Sequence, residues 1–482
     1  DKPDQRADAV LDEMFDLFVA LDAHEDQLDF PHLYASAKEG WATEDLDAGH
    51  GESLAPLFER ILAHVPPPKV EDEGPFAMLA TTLEADPYLG RLLTGRISRG
   101  ALTPNTTIKA LARDGRQIER TRVTKILAYR GLARTPLEVA EAGDIVTLAG
   151  LDEATVADTL CDLEVTEPMP SQPIDPPTLA MTFSVNDSPL AGQEGGKVTS
   201  RLIGERLERE AEGNVALQIT QDGAGEAFEV AGRGELQLAI LIETMRREGY
   251  ELSISRPHVV VTTDPETGRK LEPIEEVVCD VDEDYTGPVI DALTQRRAEL
   301  VEMRPTGADR QRLVLHAPSR ALIGFLGEFL TLTRGTGVMH RLFHGYAPHK
   351  GAIPARRTGV IVSTEKGDAV PYALWNLEER GSLFIAPGTK VYPGMIIGEH
   401  ARASDLDVNP LKAKQLTNVR ASGKDDNVQL SPPVKLTLER ALAYIADDEL
   451  VEVTPKTIRL RKRVLDANAR RKAEKRAAQA EV

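Results

Sequence analysis

The sequence predicts a multidomain α+β protein: a partial α/β segment, a small β-barrel domain, two ferredoxin-like α+β domains and a strand-prone C-terminal domain with a basic tail. Three observations carry this. The 482 residues suffice for three to four domains at roughly 150 residues each, every one long enough to bury a core. Two proline clusters, Pro66-Pro67-Pro68 and the stretch from Pro168 to Pro177, divide the chain into blocks. Across them the hydrophobic period changes from helical spacing to short strand-like runs, and then to a repeated strand–helix order.

Composition sets the outer bounds. Hydrophobic residues are 41% and charged residues 28%, which excludes wholesale disorder and a bilayer-embedded chain. No apolar run approaches the roughly 18 to 20 residues of a spanning helix. The first residues lack the basic start and apolar stretch of a secretory signal, and Cys161 and Cys279 stand far apart. Neither a disulfide framework nor a Cys-based zinc cluster is expected, and the cytoplasm is the expected compartment. Net charge is −20, unevenly spread: residues 1–60 hold 16 acids against 4 bases, whereas residues 456–482 hold 10 bases against 3 acids. A basic tail on an acidic body suits local contact with nucleic acid.

In residues 1–65, Leu11, Met14, Phe15, Phe18 and Leu21 recur at i, i+3, i+4, i+7 and predict an amphipathic helix from Asp8 to Leu21. Residues 30–35 read as a short strand. Ser53 opens a second helix with Leu54, Leu57, Phe58, Ile61, Leu62 and Val65 inward. One strand and two helices make half of a doubly wound sheet. The chain starts with Asp1 and not methionine, and with only a fraction of a domain in this segment an N-terminal truncation is expected. In residues 69–167, strand-like runs at 76–83, 90–97, 106–112, 118–128 and 144–148 are punctuated by turns such as Asp114-Gly115 and suit an antiparallel barrel. Residues 177–264 and 270–350 each give strand, helix, two strands and helix, with an Arg-containing turn before the second helix: Gly232-Arg233-Gly234 and Ser319-Arg320-Ala321. Within the C-terminal domain, 351–482, residues 351–455 are glycine-rich and strand-prone, with a helix expected at 437–445, and a basic helical tail ends the chain.

Most short motifs carry no chemistry. Gly90 to Ile97 superficially resembles a phosphate loop, but Arg96 stands for its lysine and Ile97 for its hydroxyl, in strand-like surroundings. His340, His344 and His349 lack matching Cys or carboxylate spacing, so no metal site is expected. No nucleophile elbow or catalytic triad is found. Two tripeptides matter together: Asp1-Lys2-Pro3 before the first helix and Ser36-Ala37-Lys38 after the strand. A carboxylate at the first can accept N1–H and the exocyclic amine of guanine, and a backbone N–H at the second can donate to O6. The predicted guanine-binding residues are therefore Asp1, Ser36, Ala37 and Lys38. The pair looks like the end of the GTP-binding domain of a translation factor.

Longer stretches sharpen the resemblance. Gly95-Arg-Ile-Ser-Arg-Gly100 through Ile108 resembles the second domain of translational GTPases; Val230 to Leu238 and Arg246 to Pro257 resemble the third; Ala317 to Phe325 and Thr333 to Gly337 resemble the fifth. Leu374-Trp-Asn-Leu-Glu-Glu-Arg-Gly381, Val391 to Gly398, Asp405 to Gly423 and Asp447 to Lys456 resemble the BipA/TypA family of ribosome-binding translational GTPases, over essentially the whole chain. The fourth-domain insertion of elongation factor G is absent, and neither that factor nor LepA has this C-terminal region.

The resemblance implies a ribosome-associated GTPase acting in large-subunit assembly and stress-adaptive translation. It also implies that residues 1–65 are the end of the family's GTPase domain. The phosphate loop, switch regions and hydrolytic histidine lie upstream of this chain in the family. GTP and magnesium are thus cofactors of the intact family member, neither expected to bind this chain tightly, and hydrolysis by this chain alone is not expected; no catalytic or metal-binding residue is assigned. Lys412, Lys414, Arg420 and Lys424 fall within 13 residues, interleaved with Gln415 and Asn418. Cations suit phosphate oxygens, and amides suit sugar and base edges. In the family this loop reaches toward transfer RNA and the large subunit, so these six residues are the predicted RNA contacts. The expected partners are the ribosome, large-subunit RNA and transfer RNA, with no membrane and a monomeric chain. The alternative is a stand-alone RNA- or ribosome-binding adaptor without nucleotide hydrolysis.

Overall fold

A computed structural model describes residues 5–67, 69–71, 73–172, 174–264, 266–307, 309–353, 356, 358–413 and 429–480. The helical spacing near the start forms Ala7–Ala20, and Ala55–His64 follows Ser53, whose Oγ accepts the Ala55 N–H at 3.3 Å. Neither helix has a buried residue, and Phe15, Leu17, Phe58 and Leu62 all stay exposed. The expected half of a doubly wound sheet is corrected here. Tyr34–Ser36 pairs antiparallel with Trp41–Thr43, so among the described residues the segment has no parallel strand on which its helices could lie. The strand expected at 30–35 begins only at Tyr34, beyond Pro31, which has no N–H to give a ladder.

Eight strands follow in one antiparallel sheet: Ala77–Asp86, Gly90–Arg99, Thr107–Leu111, Gln117–Arg122, Lys125–Arg130, Ala133–Pro136, Ile145–Ala149 and Thr159–Cys161. They enclose Phe76, Met78, Ile97, Ile108, Leu148 and Leu160. The expected strand at 118–128 is two strands. The Val123 N–H bonds to the Thr106 carbonyl and the Thr124 N–H to the Ala149 carbonyl, so the chain changes partner between them. Gly90–Arg99 is a strand throughout, in keeping with its failure as a phosphate loop.

The two repeats share one topology. The first runs Leu179–Val185, helix Ser200–Gly213, Gln218–Gln221, Ala227–Gly232, helix Glu235–Arg247 and Leu252–Ser255. The second runs Lys270–Asp282, helix Glu283–Gln295, Glu299–Pro305, Arg310–Pro318, helix Phe325–Leu332 and Val338–Pro348. In both sheets the strands lie in the order second, third, first, fourth, the split βαβ arrangement. Residues at alternate positions of the second sheet, Val277, Cys279, Val281, Leu313, Leu315 and Ala317, pack under its helices with Val289, Leu293 and Phe325.

The C-terminal strands extend the first repeat. Glu449–Val453 pairs antiparallel with Leu252–Ser255, and Ile458–Lys462, Met395–His400, Val360–Ser363 and Leu406–Val408 continue outward into an eleven-stranded sheet. The edge that Leu252–Ser255 would otherwise offer to other chains is thereby covered. One core runs across the join, from Phe183, Leu252 and Ile254 to Val451, Val453 and Leu460. Helix Leu438–Tyr444 lies within the expected 437–445, capped by Thr437, whose Oγ1 accepts the Arg440 N–H at 3.3 Å. Helix Pro371–Glu378 lies where the sequence reading places none.

Candidate functional site

Ser36, Ala37 and Lys38 lead out of Tyr34–Ser36 into the turn of the N-terminal hairpin. Ser36 is buried; its Oγ accepts the Glu39 N–H at 3.2 Å and its carbonyl accepts the Gly40 N–H at 2.8 Å. The left-handed φ of +77° at Gly40 lets the chain turn back there. The serine hydroxyl therefore braces the turn. Ala37 and Lys38 are exposed, and among the described residues their backbone N–H groups have no partner, which leaves both open to an acceptor such as guanine O6. Asp1 lies outside the described residues. This donor set fits a base edge and not a triphosphate with magnesium, because no Gly-x4-Gly-Lys-Ser/Thr loop occurs in the 482 residues.

In the C-terminal loop Lys412 is exposed, while Lys414, Gln415, Asn418, Arg420 and Lys424 lie outside the described residues. Both flanks of the loop are held. On the entering side the Thr364 N–H bonds to the Val408 carbonyl at 2.8 Å and the Val370 N–H to the Pro410 carbonyl at 3.1 Å. On the returning side the Ser431 N–H bonds to Glu378 Oε1 at 2.6 Å and the Val434 N–H to the Leu383 carbonyl at 2.8 Å. Leu411 and Leu430 pack on the same cluster around Leu374, Tyr392 and Ile397, so the described residues on both sides of 414–428 share one base.

The basic tail, expected to suit local contact with nucleic acid, is in part engaged by the chain's own carboxylates. Arg459, Arg461 and Lys462 sit on Ile458–Lys462 inside the joined sheet, all largely buried. Arg459 donates to both carboxylate oxygens of Glu452, at 3.2 and 3.1 Å, and to Glu194 at 3.0 Å. Glu452 also accepts from the Tyr392 hydroxyl at 2.6 Å, Ser188 Oγ at 2.8 Å and Asn186 Nδ2 at 3.0 Å. Lys462 meets Asp405 at 2.6 Å, Asp448 at 2.8 Å and Glu449 at 3.0 Å, and Glu449 is held from its other side by Arg356. Arg461 reaches Asp187 and Ser253 Oγ. Burial alone would raise the pKa of Glu449 and of Glu452; Arg356 and Lys462 at the first, and Arg459 and Tyr392 at the second, outweigh it and hold both below the ordinary carboxylate value. On the following helix Arg470 and Arg471 both pair with Asp407. These side chains bind the molecule to itself, and their role is not apparent from the sequence because it depends on the strand pairing of 449–453 with 458–462 and on Glu194, Asp187, Asp405 and Asp407 from distant positions.

Comparison with known proteins places these pieces. A family profile described as the TypA/BipA C-terminal domain matches residues 358–467, one for the elongation factor G C-terminus matches 269–357, and one for elongation factor Tu domain 2 matches 90–161. The chain is 48% identical over 477 residues to the large ribosomal subunit assembly factor BipA of Haemophilus influenzae, covering 98% of this chain and 76% of that protein. This chain belongs to the BipA family. The BipA proteins of Escherichia coli strain K12 and of a Synechocystis species are each 47% identical to it, over 98% and 96% of this chain and 77% of their own length. The BipA C-terminal match spans Lys412, both flanks of its loop and the joint residues Glu449, Glu452, Arg459, Arg461 and Lys462. The region matched by the TypA/BipA C-terminal profile is thus joined by its strands to the first α+β repeat.

Proposed function

We propose that this chain serves assembly of the large ribosomal subunit, as a member of a translational GTPase family that engages ribosomal RNA and the transfer RNA acceptor end through the loop carrying Lys412. The observation that carries the reading is identity of 47–48%, over nearly the whole chain, to proteins named as large-subunit assembly factors. The geometry supports it. A loop rooted at both flanks on one cluster can present Lys412, Lys414, Arg420 and Lys424 to phosphates while Gln415 and Asn418 meet sugar and base edges. The buried ion pairs make the base of that loop and the first α+β repeat one platform. The open N–H groups of Ala37 and Lys38 give a guanine base two donors, and without phosphate contacts from this chain its GTP affinity is weak. It works as a cytoplasmic monomer.

The test is co-sedimentation of the full chain with large ribosomal subunits across a salt series, beside a variant with Lys412, Lys414, Arg420 and Lys424 all changed to Ala. The variant should bind more weakly, and its salt dependence should flatten by about 0.7–0.9 in log–log slope for each phosphate no longer neutralised. Equal binding and equal slope would remove the loop from the interface.

A further inference from the structure

The solvent face of the second α+β sheet carries a cluster that no local spacing reveals. Glu276 and His316 are direct cross-strand partners on Lys270–Asp282 and Arg310–Pro318. On the other side of Lys270–Asp282, Val338–Pro348 is out of step by one residue: Phe343 lies opposite Glu275 and Gly345 opposite Ile274, so His344 is the extra residue of a β-bulge. A bulge re-aims a side chain, and this one brings the His344 ring to 4.0 Å from that of His316, centroid to centroid, at 31°. His316 Nε2 lies 3.9 Å from Glu276 Oε2, and one ligand atom from each of the three residues lies within 4.8 Å of the others.

We infer that Glu276, His316 and His344 form a binding site for a borderline divalent transition-metal ion, with zinc as the type. Two imidazoles and one carboxylate are a ligand set that zinc takes with a fourth position left for water. Bonds of about 2.0–2.1 Å to a tetrahedral ion place ligand atoms about 3.3 Å apart, within reach of small side-chain rotations from the separations present. The ligand atoms are uncommitted: among the described residues none of the three side chains makes a hydrogen bond, and the one ion-pair neighbour of Glu276 is His316. Their setting allows movement as well as access, since the side chains of His316 and Glu276 keep 27% and 38% exposure. Glu299, opposite His316 on its far side, is drawn off by Lys350 at 2.8 Å, so it leaves the set at three. A bound ion would clip three strands together on the face away from the helices.

The experiment titrates the untagged full chain with zinc by calorimetry and with cobalt(II) by visible absorption. One cobalt per chain with tetrahedral bands and no sulfur-to-metal band is expected, because Cys161 and Cys279 are buried elsewhere. His316→Ala and His344→Ala should each weaken binding by about tenfold or more, the scale expected when one of three ligands is removed. His340→Ala and His349→Ala should leave affinity unchanged. His344 is exposed, so its variant tests the site in a folded chain. Absence of saturable binding below millimolar metal, unchanged affinity in His344→Ala, or loss through His340→Ala or His349→Ala would each overturn the assignment.

Discussion

Glu452 and Arg459 show what a charged residue does when fold and not solvent decides its surroundings. Glu452 lies in the strand-prone C-terminal region and Arg459 in the basic tail, and nothing in their spacing marks them as core, yet Glu452 is fully buried and takes hydrogen bonds from four side chains. Removing one partner strands the other: Glu452→Ala should lower stability by about 3–5 kcal/mol, measured by urea unfolding at neutral pH. The pH dependence has a definite sign. The folded-state pKa of Glu449 and of Glu452 lies below the unfolded value of about 4.3, so the stability they supply is complete above that value and lost as pH falls through the folded pKa. Urea midpoints taken between pH 3 and 7 should fall toward acid, and fall less steeply in Glu452→Gln; equal slopes would show that this carboxylate does not couple folding to protons. None of this was legible in the chain, because Glu194 and Asp187 stand more than 260 residues before the arginines they bind.

Elements with a strong period were legible, and those set by a neighbour were not. The helices at 7–20, 235–247 and 438–444 lie within a few residues of their expected positions because an apolar stripe at helical spacing marks each, and in the last two that stripe is also the buried face, with Leu238, Ile242 and Leu438, Leu442 inside. Trp41–Thr43, Ala133–Pro136 and Thr159–Cys161 are too short to show alternation, and partner strands alone define them. Gly381, the end of a motif the sequence did mark, has a physical reason at this scale. It opens the strand Gly381–Leu383, where an added Cβ would overlap the Glu399 carbonyl oxygen of the facing strand. Gly381→Ala should therefore destabilise by about 1–3 kcal/mol, the range for forced overpacking. Gly196→Ala, where a Cβ meets nothing within 4 Å and φ is not positive, should change stability by less than about 0.5 kcal/mol. Thermal melts of the two variants side by side check the contrast.

At the scale of the molecule, the boundaries that prolines and composition draw between blocks are not the boundaries of its sheets. The first α+β repeat and the C-terminal region are separated in sequence by a complete second repeat, yet share eleven strands, one apolar core and the buried ion pairs. Such a join should make them one cooperative unit, because opening either side would expose unpaired strand edges and uncompensated charges together. Val451→Pro tests this. Val451 is fully buried opposite Ile254, and proline there removes a ladder donor from a strand paired on both sides. Amide hydrogen exchange should then rise in Leu450 to Val453 and, by a similar free energy, in Leu179–Val185, two strands away across Leu252–Ser255. Amides of the barrel strand Gly90–Arg99, in a separate sheet, should keep their protection. If only the C-terminal strands lose protection, the two regions unfold independently. The contact with ribosomal RNA proposed above for the Lys412 region gains from the coupled arrangement, since any displacement of its flanks is resisted by the whole eleven-stranded sheet.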